Sequence, residues 1–415
     1  MLRFPFLLVF FSLLLLACGK HDLTDYGYVD DDEDQLLSSS SGISSSGTSS
    51  SSEPPMSSSS LHELSSSSSS SYVETYDCDF RETSYINSEC FYGETISVPQ
   101  NVLLGSQARL HFAENTSLNI RGYHLEINKG AKLYFGKNSE LLIDNSGSLD
   151  VSGEEEIPVL FAADENEPWK GIRIHPNALS VNIKYADLSG ALTGITFGKN
   201  SVLKNSKIYN NEYGIKQNSP FSTGNFSGNN FYSNDYDAGV SLAVAATLGS
   251  PEQFTGKLHI SGNQDIGNVI LPGFNYFVNG TIIVNDELEI DAGAHFYFTE
   301  NSSVAVTIGS IKAIGVAGNP IIFEPADSES FWGNSDYSLD KEVAFYFDGG
   351  CAEKSEFEYF EVLRTKIAFN NQCLYPVELS NGRVIDYSQP PFKTTDASII
   401  LWIDRDVEVT SNYVP

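Results

Sequence analysis

The sequence predicts an all-β protein, a right-handed parallel β-helix built from two duplicated units and preceded by a signal peptide and a disordered linker. Three observations lead there. Apolar-x-apolar triplets recur every seven or eight residues, glycine-apolar pairs recur at coil length, and a long stretch of the chain is repeated.

The triplets are Leu110 to Phe112, Leu118 to Ile120, Leu125 to Ile127, Leu133 to Phe135, Leu141 to Ile143 and Leu149 to Val151. Each is a short strand with two inward side chains, and the Gly, Asn, Asp and Ser between them turn the chain. Three such strands make a coil of about 22 to 25 residues, and stacked coils bury every inward side chain in one apolar column. A left-handed helix would show a strict hexapeptide spacing, so the right-handed form fits better. Gly194-Ile195, Gly214-Ile215 and Gly239-Val240 then repeat at 20 and 25 residues, which carries the coil rhythm onward.

The duplication pairs Leu125-Glu126-Ile127-x-x-Gly130-Ala131-x-x-Tyr134-Phe135 with Leu288-Glu289-Ile290-x-x-Gly293-Ala294-x-x-Tyr297-Phe298. The same offset maps Trp169 onto Trp332, and Pro158 and Phe161 fall within one residue of Pro320 and Phe323. The copies run roughly from Thr95 to Val240 and from Asn275 to Asn381, with about ten extra residues between Trp332 and Phe345 in the second. Inward residues such as Ile127, Phe135, Ile290 and Phe298 should be buried. The stretch from Ser241 to Pro272 shows the weakest pattern, and a break between two solenoids could fall there.

Ahead of this body, Arg3 and the apolar stretch from Leu7 to Leu16 have the layout of a secretory signal, too short to span a bilayer. Leu15-Leu16-Ala17-Cys18 resembles the lipobox of bacterial lipoproteins, which implies a mature chain lipidated at Cys18. Gly19 lacks the aspartate that in many such lipoproteins retains them at the inner membrane, so the resemblance implies an outer-membrane, surface-exposed protein. Eleven acidic residues lie between Asp22 and Asp77, and serine runs such as Ser65 to Ser71 fill the same stretch. That composition cannot bury a core, and a tether of about fifty such residues reaches on the order of 40 Å. The expected organisation is a signal peptide at 1–17, a linker at 18–71, a Cys-bridged segment at 72–94, and β-helix units at 95–250 and 251–415.

The formal net charge of -30 argues against nucleic acid and anionic membranes as ligands, and disfavours an acidic polysaccharide unless calcium bridges it. The four cysteines after Cys18 form near pairs, Cys78 with Cys90 and Cys351 with Cys373, suited to disulfides in an oxidising compartment. Phe345-x-Phe347 recurs as Ile367-x-Phe369 and Phe357 as Leu379, each 22 residues on, the separation of Cys351 and Cys373. Stacked positions in neighbouring parallel strands lie ~4.8 Å apart, within reach of a disulfide.

The repeated unit resembles the pectin-lyase-like right-handed β-helix segments common in bacterial surface and secreted proteins. The likeness rests on Pro158 to Phe161 and Trp169-Lys170-Gly171-Ile172; in the second copy Trp332-Gly333 is followed by Asn334. It implies an architecture, because the fold hosts lyases, hydrolases, adhesins and passive shafts alike. The polysaccharide hydrolases of this fold carry Asn-x-Asp, Asp-Asp, Gly-His-Gly and Arg-x-Lys elements. Here Arg364-Thr365-Lys366 matches the last, there is no Gly-His-Gly, and Asp-Asp occurs only in the linker. Asp327, Asp340 and Arg364 could serve a lyase, yet no pattern assembles them. The seven histidines show no ligand spacing, so no metal or other cofactor is called for.

Aromatic residues suggest binding instead. Trp169 and Trp332 are equivalent, and Tyr209, Tyr213, Phe231, Tyr232 and Tyr236 cluster in adjacent coils. The insertion from Ser328 to Lys341 holds Phe331, Trp332 and Tyr337, and long turns on rigid scaffolds commonly carry binding. Candidate ligand contacts are therefore Trp169, Phe331, Trp332 and Tyr337. The reading is a surface-anchored, non-catalytic binding or structural module that contacts polysaccharide or a cell-surface partner. The alternative is a polysaccharide lyase or glycoside hydrolase with an atypical site.

Overall fold

The structure is a computed structural model that describes residues 78–410 apart from 166, 220–223, 249–252, 334–341, 395–400 and 404–405. Cys18, the serine linker, Tyr337 and Asp340 lie outside the described residues.

Period-two burial within each strand creates the core. In Arg109–Phe112, Lys132–Phe135 and His124–Asn128 every second side chain is buried and its neighbours face outward. Ile127, Phe135, Ile290 and Phe298 all lie in the resulting column, as the triplets require. Every strand pairs in parallel with the strand one coil away, giving a β-helix of the right-handed type with about 13 turns. Asparagines such as Asn115 and Asn138 turn the corners, both at φ 58°, a left-handed conformation that Asn tolerates better than most residues. They occupy matching corners of adjacent coils, and Asn138 Nδ2 donates to Asn115 Oδ1 at 3.3 Å.

Among the described residues one face runs from end to end of the solenoid: fourteen strands from Ile96–Val98 to Glu408–Thr410. The other two sides each hold seven strands in the first half, ending at Asn225–Ser227 and Asn230–Tyr232, and six in the second half, beginning at Gln264–Ile266 and Val269–Leu271. Between them the helix Leu242–Ala245, capped by Ser241, occupies one side, and Phe254 bridges to Phe231 on the next. The long face crosses this junction intact, with Ala238 against Leu258 and Gly239 against His259. The solenoid is therefore continuous rather than broken between Ser241 and Pro272.

The duplicated units do not lie in register. Lys132–Phe135 belongs to a seven-stranded face, whereas its counterpart His295–Phe298 belongs to the long face. Glu287–Ile290 is the twentieth strand after His124–Asn128, and the helix and the Phe254 bridge stand in for two more sides. Seven coils and one extra side separate the copies, so the second is turned by one third about the axis.

At the N-terminal end the apolar column is closed by Phe80, buried and 5.5 Å from the Tyr92 ring. Tyr92 Oη donates to the Cys78 carbonyl at 3.0 Å, and Cys78 and Cys90 stand at disulfide distance with Cα atoms 5.7 Å apart. Cys351 and Cys373 form a second such pair, also at 5.7 Å. The register that brings them together differs from the uniform 22-residue repeat. Phe345 pairs with Phe369 rather than Ile367, while Phe357 does pair with Leu379. The turn after Phe347 is two residues longer than the turn after Asn371, and that difference restores the 22-residue spacing at the cysteines.

Candidate functional site

The two tryptophans proposed as ligand contacts are core residues. Trp169 lies flat on Phe135 with ring centroids 4.2 Å apart, and Trp332 lies on Phe298 at 4.1 Å. Both are 0% exposed, and each indole Nε1 donates to a backbone carbonyl at 2.9 Å, of Ser189 and Leu363 respectively. With the ring faces covered and the N–H satisfied, neither can meet a ligand. Phe331 is half-buried beside Trp332.

The other sequence candidates also disperse. Phe231 is in the core. Tyr209 and Tyr232 stack at 5.0 Å on a seven-stranded face, while Tyr213 and Tyr236 stack at 5.1 Å on the long face. Within Arg364-Thr365-Lys366, Thr365 is buried and Lys366 pairs with Glu342 at 3.6 Å. Asp327 accepts from the Glu329 N–H at 3.0 Å and from Ser330 Oγ at 3.1 Å, closing a turn.

The Tyr213–Tyr236 pair begins a stripe that the sequence reading missed. His259 stacks on Tyr236 at 4.8 Å, and Phe277 follows at 5.2 Å, its ring turned edge-on to the imidazole. Next comes Tyr297, stacked at 4.1 Å on His295 of its own strand. Outward side chains one coil apart are held about 4.8 Å from each other, close to ring-stacking distance, so rings at matching positions pile up along the axis. Their faces then cover one another. Burial lowers the His259 pKa and pushes the Tyr213 phenol up to about 12, and the phenol oxygen and His259 Nδ1 share a hydrogen bond of 2.6 Å.

Beside Tyr297 the surface is hollowed into a groove of about 470 Å³. Its floor is the long face, where Tyr297 registers with Glu324 and Glu361 with Arg383. One wall is the chain that leaves the strand Ile321–Pro325, through Ala326 and Ser328, toward the insertion. Lys257 reaches in with its Nζ 4.1 Å from the Tyr297 ring centroid, a cation–π contact. Glu324 pairs with His295 Nε2 at 2.8 Å, Glu361 with Arg383 at 3.0 Å, and Asp386 with Arg364 at 4.0 Å. Burial lowers the His295 pKa, with Glu324 opposing it, and Glu361 raises that of Arg383.

A signal for this site was present in the sequence. Lys257 and His259, Asn275 and Phe277, and His295 and Tyr297 are the outward residues flanking Leu258, Tyr276 and Phe296, at matching places in successive coils. Reading the outward positions as a column would have found them. Among the described residues no group of three His, Cys, Asp or Glu side chains could hold a metal ion, and no helix is long and apolar enough to cross a membrane. Comparison of the chain with family models, curated proteins and solved structures finds no match among any of them.

Proposed function

We propose that the protein is a lipid-anchored cell-surface module that binds polysaccharide through the groove on the long face and does not cleave it. The observation that carries this reading is the groove itself. Hydroxyl, ammonium, guanidinium and carboxylate groups converge on this hollow, the mixture of donors and acceptors that a polyhydroxylated chain requires. The lipobox at Cys18 supports anchoring, at the outer membrane, and the serine-rich stretch supports a tether that holds the body away from the surface.

A catalytic reading has one observation in its favour, since Glu324 and Glu361 line the same groove. Each is already held by a basic partner, which favours a structural role in ordering the groove over proton transfer. Glycan-array binding and a reducing-sugar assay on the full-length protein separate the two. Retention of at least one polymer without release of reducing ends supports the binding module; turnover abolished by Glu324→Gln would make it an enzyme.

A further inference from the structure

We infer that the ligand is an uncharged glycan chain, not a uronate or sulfated one. This rests on the groove being the binding site, and it follows from how the charges there are balanced. Lys257, Arg364 and Arg383 face Glu324, Glu361 and Asp386, three of each sign. Arg383 is held between Glu361 at 3.0 Å and Glu408 at 3.2 Å, and Arg364 lies 4.0 Å from Asp386. Lys257 has no carboxylate partner among the described residues and rests on Tyr297 instead, with Glu324 registered beside that ring.

An anionic polymer would therefore meet a hollow whose three cations and three carboxylates cancel, on a chain of formal charge -30 that repels it overall. Like-charge repulsion of that kind opposes binding. A polycation would be drawn to the acidic surface generally and would gain little from this hollow. A neutral polyol suits it, because each hydroxyl both donates and accepts, and the planar carboxylate and guanidinium groups can engage neighbouring hydroxyls in pairs. Tyr297 is already engaged by His295 and Lys257, so hydrogen bonds at the ring edges, more than stacking on ring faces, carry recognition.

Affinity electrophoresis of the full-length protein through gels containing a neutral β-glucan, a neutral galactomannan, polygalacturonate, alginate or chitosan tests this. The expected result is retardation by a neutral polymer with a Kd at least about tenfold tighter than for either uronate. That Kd should change less than about twofold between about 50 and about 500 mM salt. Glu324→Gln with Glu361→Gln, which leaves the groove with a net positive charge, should narrow the gap by improving uronate binding. Tightest binding to a uronate or to chitosan, weakened by Lys257→Ala or Arg383→Gln, would overturn the neutral-glycan assignment and leave the groove as the site. Failure to bind any of the polymers, or binding unaffected by both variants in protein with an unchanged circular dichroism spectrum, would overturn the underlying reading.

Discussion

Trp169 and Trp332 occupy the same environment on different sides of the solenoid. Each lies on a phenylalanine with 6° between the ring planes, Trp169 on Phe135 and Trp332 on Phe298. Phe135 belongs to a seven-stranded face and Phe298 to the fourteen-stranded one. The contact therefore depends on neighbouring strands within a copy and not on position around the axis, as expected where each coil touches only its neighbours.

Trp169→Ala and Trp332→Ala should each cost about 3 to 5 kcal/mol, the range for emptying a buried aromatic site. In a denaturant series the double variant should lose roughly the sum, because distant sites add. Polysaccharide binding by the folded variants should be unchanged, which separates a packing role from a ligand contact.

Gly171 explains the Trp-x-Gly-Ile motif. Its φ is +97°, and a Cβ there would lie 1.6 Å from the Thr193 carbonyl oxygen in the next coil. Gly171→Ala combines a strained backbone with a backbone clash and should destabilise by more than about 3 kcal/mol. Thermal denaturation compared with Gly122→Ala checks this, since Gly122 also has a positive φ but no atom near its Cβ position.

Cys351 and Cys373 should be recovered as a linked pair when protein from an oxidising compartment is peptide-mapped without reductant. On the chain-entropy model the bridge stabilises by about 3 kcal/mol, so Cys373→Ser should lower the denaturation midpoint accordingly. Recovery of both as free thiols would remove the bridge.

Stability should fall on acidification through the histidines of the long face. Burial lowers the folded-state pKa of His259 and His295 below the ordinary value of about 6.5. Between the lowered and ordinary values the unfolded chain holds more protons, so this contribution is complete above pH about 6.5 and disappears as pH falls through the folded-state values. Melting temperatures measured from pH about 7.5 to about 4.5 should drop more steeply in the parent than in His259→Gln.

The coil architecture was legible in the sequence because burial forces it: Leu125, Ile127, Leu133 and Phe135 must all face one column, and the triplet spacing states the coil length. The rotation between copies was not legible. It depends on how many sides lie between them, and Leu242–Ala245 and Phe254 replace strands without a strand pattern. Trp169 misled because a large aromatic after a turn reads equally as a plug or a platform. Tyr213 and Tyr236 were visible as neighbours, and the outward column from Lys257 through Asn275 to His295 was there to be read, but the groove itself was not, since Glu361, Arg364 and Arg383 are brought beside it only by the strand register.

The most direct test of the groove as a binding site is a binding isotherm for whichever polymer the glycan array identifies. Parent protein, Lys257→Ala, Arg383→Gln and a control on a seven-stranded face, Tyr209→Ala with Tyr232→Ala, would be compared. Both groove variants should weaken binding by about tenfold, roughly one lost charge-assisted contact, with the control unchanged. Loss in the tyrosine control with no change in the groove variants would contradict the account and move the site to that face.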